Sequence, residues 1–211
     1  MNIAVIAANG RTGRAFVELA LAAGHNIRAG VYHTNNLPEH EHLSVVQCDA
    51  RNTADLTKLI EGQEAVVSFI GHVRNSPAQV QTDAMKALAK VMQQEGLKRI
   101  VSLTGTGVRF PQDKISLIDR ILNLSIALID PKRIKDGRDH VLFLQQSNLE
   151  WTVIRVLKLQ NTSPKPFSLT LYGPTKWWVS REDVAKASLQ VLSEHSFIKQ
   201  APIISKFNPI K

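Results

Sequence analysis

The stretch Ala7-Ala8-Asn9-Gly10-Arg11-Thr12-Gly13 decides how this chain is read. It closes an apolar run over residues 3–8 that reads as a strand. It opens a run over residues 11–23 that sets Phe16, Leu19, Ala20 and Ala23 on one helical face, and Gly24 ends that helix. A strand, a tight small-residue turn and a helix bring backbone N–H groups up to a pyrophosphate. The helix aims its positive end at the same phosphates. Ala7 stands where such turns usually have their first glycine, and Gly13 lets the helix pack closely on the strand. Placed between strand and helix, the turn predicts a dinucleotide site.

Outward from this turn, strand-like and helix-like runs alternate. Further strands are expected over 27–32, 44–48, 65–70, 99–103 and 151–156, with short ones at 168–172 and 202–204. Helices are expected over 53–61 with Thr53 as the cap, 77–94, 112–130 ended by Pro131, 135–146 and 181–192. The run 65–70 is almost wholly apolar, as a strand covered on both faces reads. The alternation predicts an α/β doubly wound parallel sheet with helices on both faces, in one domain over residues 1–211. Residues 105–135 and 157–180 read as insertions that form a small substrate-side lobe over the carboxyl ends of the strands.

The 211 residues are 44% hydrophobic and 21% charged, which excludes a disordered or fibrous chain. No apolar run reaches the roughly 20 residues of a membrane helix. Asn9, Gly10 and Arg11 break the first apolar run too early for a secretory signal. The single Cys48 excludes an intrachain disulfide and a cysteine-built metal site. These features point to a cytoplasmic protein with no membrane partner and no metal. The net charge of +8 favours an anionic partner, whether nucleic acid, membrane surface or small molecule. The basic residues are scattered, however, and Asp136 interrupts the densest cluster, Lys132, Arg133, Lys135 and Arg138. No helix-turn-helix or aromatic–basic RNA motif is present, so nucleic acid ranks last. The oligomeric state is not legible.

The second strand bears on which cofactor binds. NAD binders usually place an acid about 20 residues after the turn to hold the ribose hydroxyls. Here Val31-Tyr32-His33-Thr34-Asn35-Asn36 contains none, and the first acid is Glu39. Arg11, His33 and Arg14 suit a 2′-phosphate, which favours NADP, with NADPH preferred over NADH. Asp49 can accept from an adenine amino group or serve as a turn aspartate. Gly71 follows the fourth strand, where bare backbone can lie against a ribose.

The segments Ile6-Ala7-Ala8-Asn9-Gly10-Arg11-Thr12-Gly13, GQEAVVSFIG (62–71), KRIVSLT (98–104), SNLEWTVIR (147–155) and VSREDVA (179–185) span nearly the whole chain. Through them the sequence resembles the NmrA-like, NAD(P)H-binding branch of the atypical short-chain dehydrogenases, which have a Rossmann-like fold. Within that branch it resembles NADH-flavin reductases and biliverdin-IXβ/flavin reductases. The resemblance implies phosphate and ribose contacts from Ala7, Asn9, Gly10, Arg11, Thr12 and Gly13, with Gly71 and Thr104 near the nicotinamide. The sequence departs from the family pattern at Ala7, His33, Thr104-Gly105, Val141 and Val156, mostly on the substrate side.

Many short-chain dehydrogenases place Tyr-x-x-x-Lys on a helix, where the lysine lowers the pKa of the phenol. Tyr172 and Lys176 match that spacing, but Gly173-Pro174 between them breaks a helix. Without that pair the expected chemistry is hydride transfer to a planar acceptor (flavin, quinone or bilin-like) that takes its proton from solvent. Thr104 can bond the carboxamide or the acceptor, or simply satisfy backbone. His140 lies one turn after Asp136, and the two can orient an imidazole toward the cleft or form a surface pair. Arg155, Trp177 and Trp178 suit either substrate contacts or packing. The alternative class is a non-catalytic NADP(H)-sensing regulatory protein.

Overall fold

The computed structural model describes residues 1–207. Its first elements are β1 (Asn2–Ile6), α1 (Arg11–Ala22), β2 (Asn26–Val31), β3 (Leu43–Gln47) and α2 (Thr53–Ile60). β4 (Ala65–Ser68), α3 (Val80–Gln94), β5 (Arg99–Gly105), α4 (Leu117–Ile129), α5 (Pro131–Gln145) and β6 (Glu150–Val156) follow. The chain then makes β7 (Leu159–Gln160), β8 (Phe167–Thr170), β9 (Val179–Ser180), α6 (Arg181–Ser193) and β10 (Ile203–Lys206).

Among the described residues the main sheet runs β3-β2-β1-β4-β5-β6-β10-β8. Its pairings are parallel except β8 on β10. The fold is thus the expected Rossmann-like α/β sheet. Alternate residues of each central strand feed opposite cores. Ile3 and Val5 join Phe16, Val17, Val184 and Val191 of α1 and α6, while Ala4 and Ile6 join Leu56, Leu88, Met92 and Leu144 of α2, α3 and α5. Burial on both faces is why these strands read as continuous apolar runs. Strand order reverses between β1 and β4, which opens a crevice at their carboxyl ends.

Several local expectations change. Asn52, not Thr53, caps α2, accepting from the N–H groups of Ala54 and Asp55. Pro131 opens α5 rather than merely closing the helix before it, because its missing N–H costs nothing at the first helical position. Asp130 ends α4 and caps α5 by accepting from Arg133 N. Within 157–180, β7 and β9 form a separate two-stranded sheet, too short for periodicity to reveal. No helix among the described residues is long and apolar enough to cross a membrane.

Candidate functional site

The turn after β1 is built from backbone. Ala7 has φ of 58°, and Gly10 N donates to its carbonyl at 3.0 Å. A Cβ on Gly13 would stand 2.4 Å from Ala7 O and 2.7 Å from Ala8 O, so only glycine lets α1 lie this close. No side chain caps Gly10, and the first turn of α1 holds no acid. Among the described residues every other helix start has a side-chain acceptor. Asn52, Ser116, Asp130 and Ser180 cap α2, α4, α5 and α6. Asp136 accepts from Gln81 N and Thr82 N at the start of α3. Among the described residues α1 alone offers its first N–H groups no side-chain acceptor, which leaves them and the positive end of its dipole to an anion.

Asn9 ties this turn to the exit of β2. Its Nδ2 donates to Thr34 O at 2.7 Å, and its Oδ1 accepts from Arg14 Nη2 at 3.1 Å. His33 is exposed, with its ring against Tyr32. Arg11 is exposed at the head of α1; Thr12 is buried. Arg11 lies near Arg181, whose guanidinium pKa is lowered by burial and by that charge. Asp49 is a turn aspartate: Oδ1 accepts from Arg51 N at 2.9 Å, and its oxygens accept from Arg51 Nε and Nη2. The Arg51 hydrogen bonds hold its carboxyl below the ordinary carboxylate range. Sequence reasoning missed Arg51; its spacing of two from Asp49 was the available signal.

On the β4–β5 side, Gly71 is exposed, with open space where a Cβ would stand. The next residue, His72, reaches Asp136, with Nε2 2.8 Å from Oδ2. Asp136 is fully buried and also accepts from Thr82 Oγ1 at 2.6 Å. Gln81 Nε2 donates to Ile70 O at 2.9 Å and Leu103 O at 3.2 Å, which pins the exits of β4 and β5 together. Thr104 is buried, and Gly137 of α5 packs so closely that a Cβ there would be 2.7 Å from Thr104 Oγ1.

His140 sits differently from either expectation. It is 1% exposed, so it forms no surface pair, and Asp136 turns to His72 instead. His140 Nε2 lies 3.1 Å from Ser102 Oγ, and Nδ1 has no partner among the described residues. Burial pushes its imidazole pKa down to about 4, so the ring is neutral near pH 7.

Tyr172 and Lys176 do not share a helix, and Lys176 Nζ pairs with Asp183 Oδ2 at 2.9 Å. Arg155 pairs within the fold: it meets both oxygens of Asp113 at 2.6 and 3.0 Å and donates to Val108 O, Leu171 O and Ala201 O. Trp177 and Trp178 are exposed, with Lys206 and Lys158 over their rings. Burial pushes the Cys48 thiol up to about 12. A groove of about 620 Å³ between α3 and α5 lies at the opposite, amino edge of the sheet. No metal-holding cluster occurs among the described residues.

The sequence profile of the NAD(P)H-binding family matches residues 7–195, which includes the turn, both strand exits and α6. The chain belongs to the NAD(P)H-binding family. Solved structures share its fold. A short-chain dehydrogenase/reductase from Veillonella parvula DSM 2008 in complex with NADP superposes with a TM-score of 0.81 at 18% identity, covering 97% of this chain and 94% of that one. The oxidoreductase ylbE from Lactococcus lactis gives 0.79 at 16% identity, over 99% and 92% of the two chains. A protein from Streptococcus pneumoniae TIGR4 named as a candidate NADH-flavin reductase gives 0.75 at 22% identity, over 97% and 98%.

Proposed function

We propose that this member of the NAD(P)H-binding family is an NADPH-dependent reductase of a planar acceptor of flavin, quinone or bilin type. The observation that carries the reading is the free N-terminus of α1. Every other helix start among the described residues has a side-chain acceptor, while this one has none and opens on the crevice at the β1–β4 switch point. The NADP held by the Veillonella relative and the name of the Streptococcus relative support the cofactor and the acceptor class.

When bound, the cofactor supplies a hydride. The chain supplies placement. N–H groups of Arg11, Thr12 and Gly13 take the pyrophosphate, within a turn shaped by Ala7, Asn9 and Gly10. His33, Arg14 and Arg51 would meet the 2′-phosphate, and Asp49, masked by Arg51, would accept from the adenine without repelling that phosphate. Gly71 leaves bare backbone that would suit the nicotinamide ribose, and Gln81 keeps the β4 and β5 exits spaced. Thr104 and His140 position the crevice floor from behind rather than donate protons, since both are buried. Bound NADPH would supply the hydride and solvent the proton, a two-electron reduction of the acceptor to which the chain contributes alignment.

The test is fluorescence titration with NADPH and NADH, followed by FMN or a soluble quinone in the same cuvette. The reading expects tighter NADPH binding and loss of reduced-cofactor absorbance on adding acceptor. Binding with no turnover on any acceptor of these classes would turn the assignment to a cofactor-sensing regulatory protein. Failure to bind either nucleotide would overturn it.

A further inference from the structure

The buried residues of helix α4 are polar, Asp119 and Asn123, while a line of its large apolar residues faces outward. Leu117, Ile121, Leu124 and Leu128 recur at spacings of four, three and four, which aligns them in one stripe. They are 76%, 62%, 62% and 78% exposed, and Ile129 beside them is 84% exposed. Asp119 and Asn123 point inward instead. Asp119 takes Arg109 Nη2 at 2.6 Å and Thr175 Oγ1 at 2.7 Å, and Asn123 Nδ2 donates to Thr106 Oγ1 at 3.1 Å. The helix is held by these hydrogen bonds and by half-buried Ile118, Leu122 and Ile126, and its outer apolar stripe is left to water. A contiguous exposed apolar patch of this kind marks a docking surface.

The charges around the stripe select its occupant. Lys114 and Arg120 flank its first half, and Lys132, Arg133, Lys135 and Arg138 follow its end, all exposed. The acids of the same stretch are committed: Asp113 to Arg155, Asp119 to Arg109, Asp130 to Arg133, Asp136 to His72 and Asp139 to Lys135. Lys114, Arg120, Lys132 and Arg138 have no ion pair among the described residues. Two copies packed stripe to stripe about a dyad would set the Lys114 end of one α4 against the Lys132 end of the other, like charge on like. An anionic lipid surface offers acyl chains for the leucines and phosphates for the basic flanks. Tyr172, also exposed, lies beside the start of α4, where Lys114 N donates to its carbonyl at 2.7 Å. An amphipathic tyrosine suits the headgroup level.

We infer that α4 is an interfacial helix that docks this protein on anionic membrane surfaces, with the leucine stripe at the headgroup–acyl boundary. This needs no spanning segment and does not rest on the proposed reduction. Co-sedimentation of the full chain with phosphatidylglycerol-containing vesicles, against pure phosphatidylcholine vesicles, tests it. Binding to the anionic vesicles should weaken at high salt. Leu124→Asp with Leu128→Asp should weaken it at least about tenfold, the scale of removing two buried leucines. Arg120→Glu with Lys132→Glu should weaken it about tenfold or more through charge. Thermal melts confirm that the variants fold, as these exposed positions should allow. Absence of binding to the anionic vesicles, or equal salt-insensitive binding to both kinds, overturns the inference. So does a wild-type dimer that the leucine variants convert to monomer without any vesicle binding, which would assign the stripe to a second copy.

Discussion

His72 and Asp136 are 64 residues apart in the chain, yet Nε2 and Oδ2 lie 2.8 Å apart. Asp136 reaches from α5 to cap α3 from outside, and His72 brings the exit of β4 to the same carboxylate. One buried group thus joins two segments that border the crevice. Asp136→Asn turns an amide N–H₂ toward groups that already donate. It should cost about 3 kcal/mol, as breaking a buried charged network does. His72→Gln leaves Asp136 its other three donors and should cost about 1–2 kcal/mol. Urea denaturation ranks the two, and equal losses would contradict the capping role.

Ala7 holds φ of 58°, where an L side chain is strained and glycine is not. Ala7→Gly should therefore stabilise the fold by about 1 kcal/mol, despite greater freedom of the unfolded chain. For a chain of this size that corresponds to a melting point higher by about 2–4 °C. A scan showing a lower melting point would mean that the turn does not strain Ala7.

Gly13→Ala tests the opposite case. Its methyl would meet backbone oxygens of Ala7 and Ala8, which have no free rotation to yield. The first turn of α1 must move away from β1, costing about 1–3 kcal/mol in overpacking. The N–H groups proposed to take the pyrophosphate move with it, so dinucleotide affinity should fall at least about tenfold, read by fluorescence titration.

The turn and the strands were legible because local chemistry dictates them. Gly13 is needed wherever a helix lies this close to a strand, and runs such as Val66-Val67 are apolar because both faces are covered. Side-chain partnerships were not legible. Helical spacing puts Asp136 next to His140, but the fold brings His72 and the start of α3 to Asp136 from another part of the chain. Arg155 offers the same lesson: its Asp113 partner belongs to the loop after β5. The outward leucines of α4 were hidden for a related reason. Periodicity shows that a helix has an apolar face, and a hydrophobic core usually claims that face; here buried Asp119 and Asn123 reverse it.

Arg51 both supplies a cation beside the β2 exit and masks Asp49. Arg51→Ala removes the first and frees the second, leaving a carboxylate where a 2′-phosphate would be repelled and a ribose hydroxyl welcomed. The ratio of NADPH to NADH dissociation constants should rise about tenfold or more, since both changes act in one direction. Parallel titration of the two nucleotides reads it directly. An unchanged ratio would remove Arg51 and Asp49 from the adenine side of the site.

His140 makes the fold sensitive to acid. Burial lowers its pKa from the ordinary 6.5 to about 4, while the nearby Asp136 charge pulls the other way. Between those values the unfolded chain binds a proton that the folded chain refuses. The neutral-histidine contribution is complete above about pH 6.5, shrinks as pH falls, and is gone by about pH 4, about 3 kcal/mol in all. His140→Gln can keep a hydrogen bond to Ser102 and has nothing to titrate. It should be less stable than wild type at pH 7.5 because its shape fits the site less well, yet lose less between pH 7.5 and 4.5. The lowered carboxyls of Asp49 and Asp139 are common to both proteins and cancel in the comparison. Urea midpoints at the two pH values measure the difference, and parallel losses would show that His140 is not the group that charges.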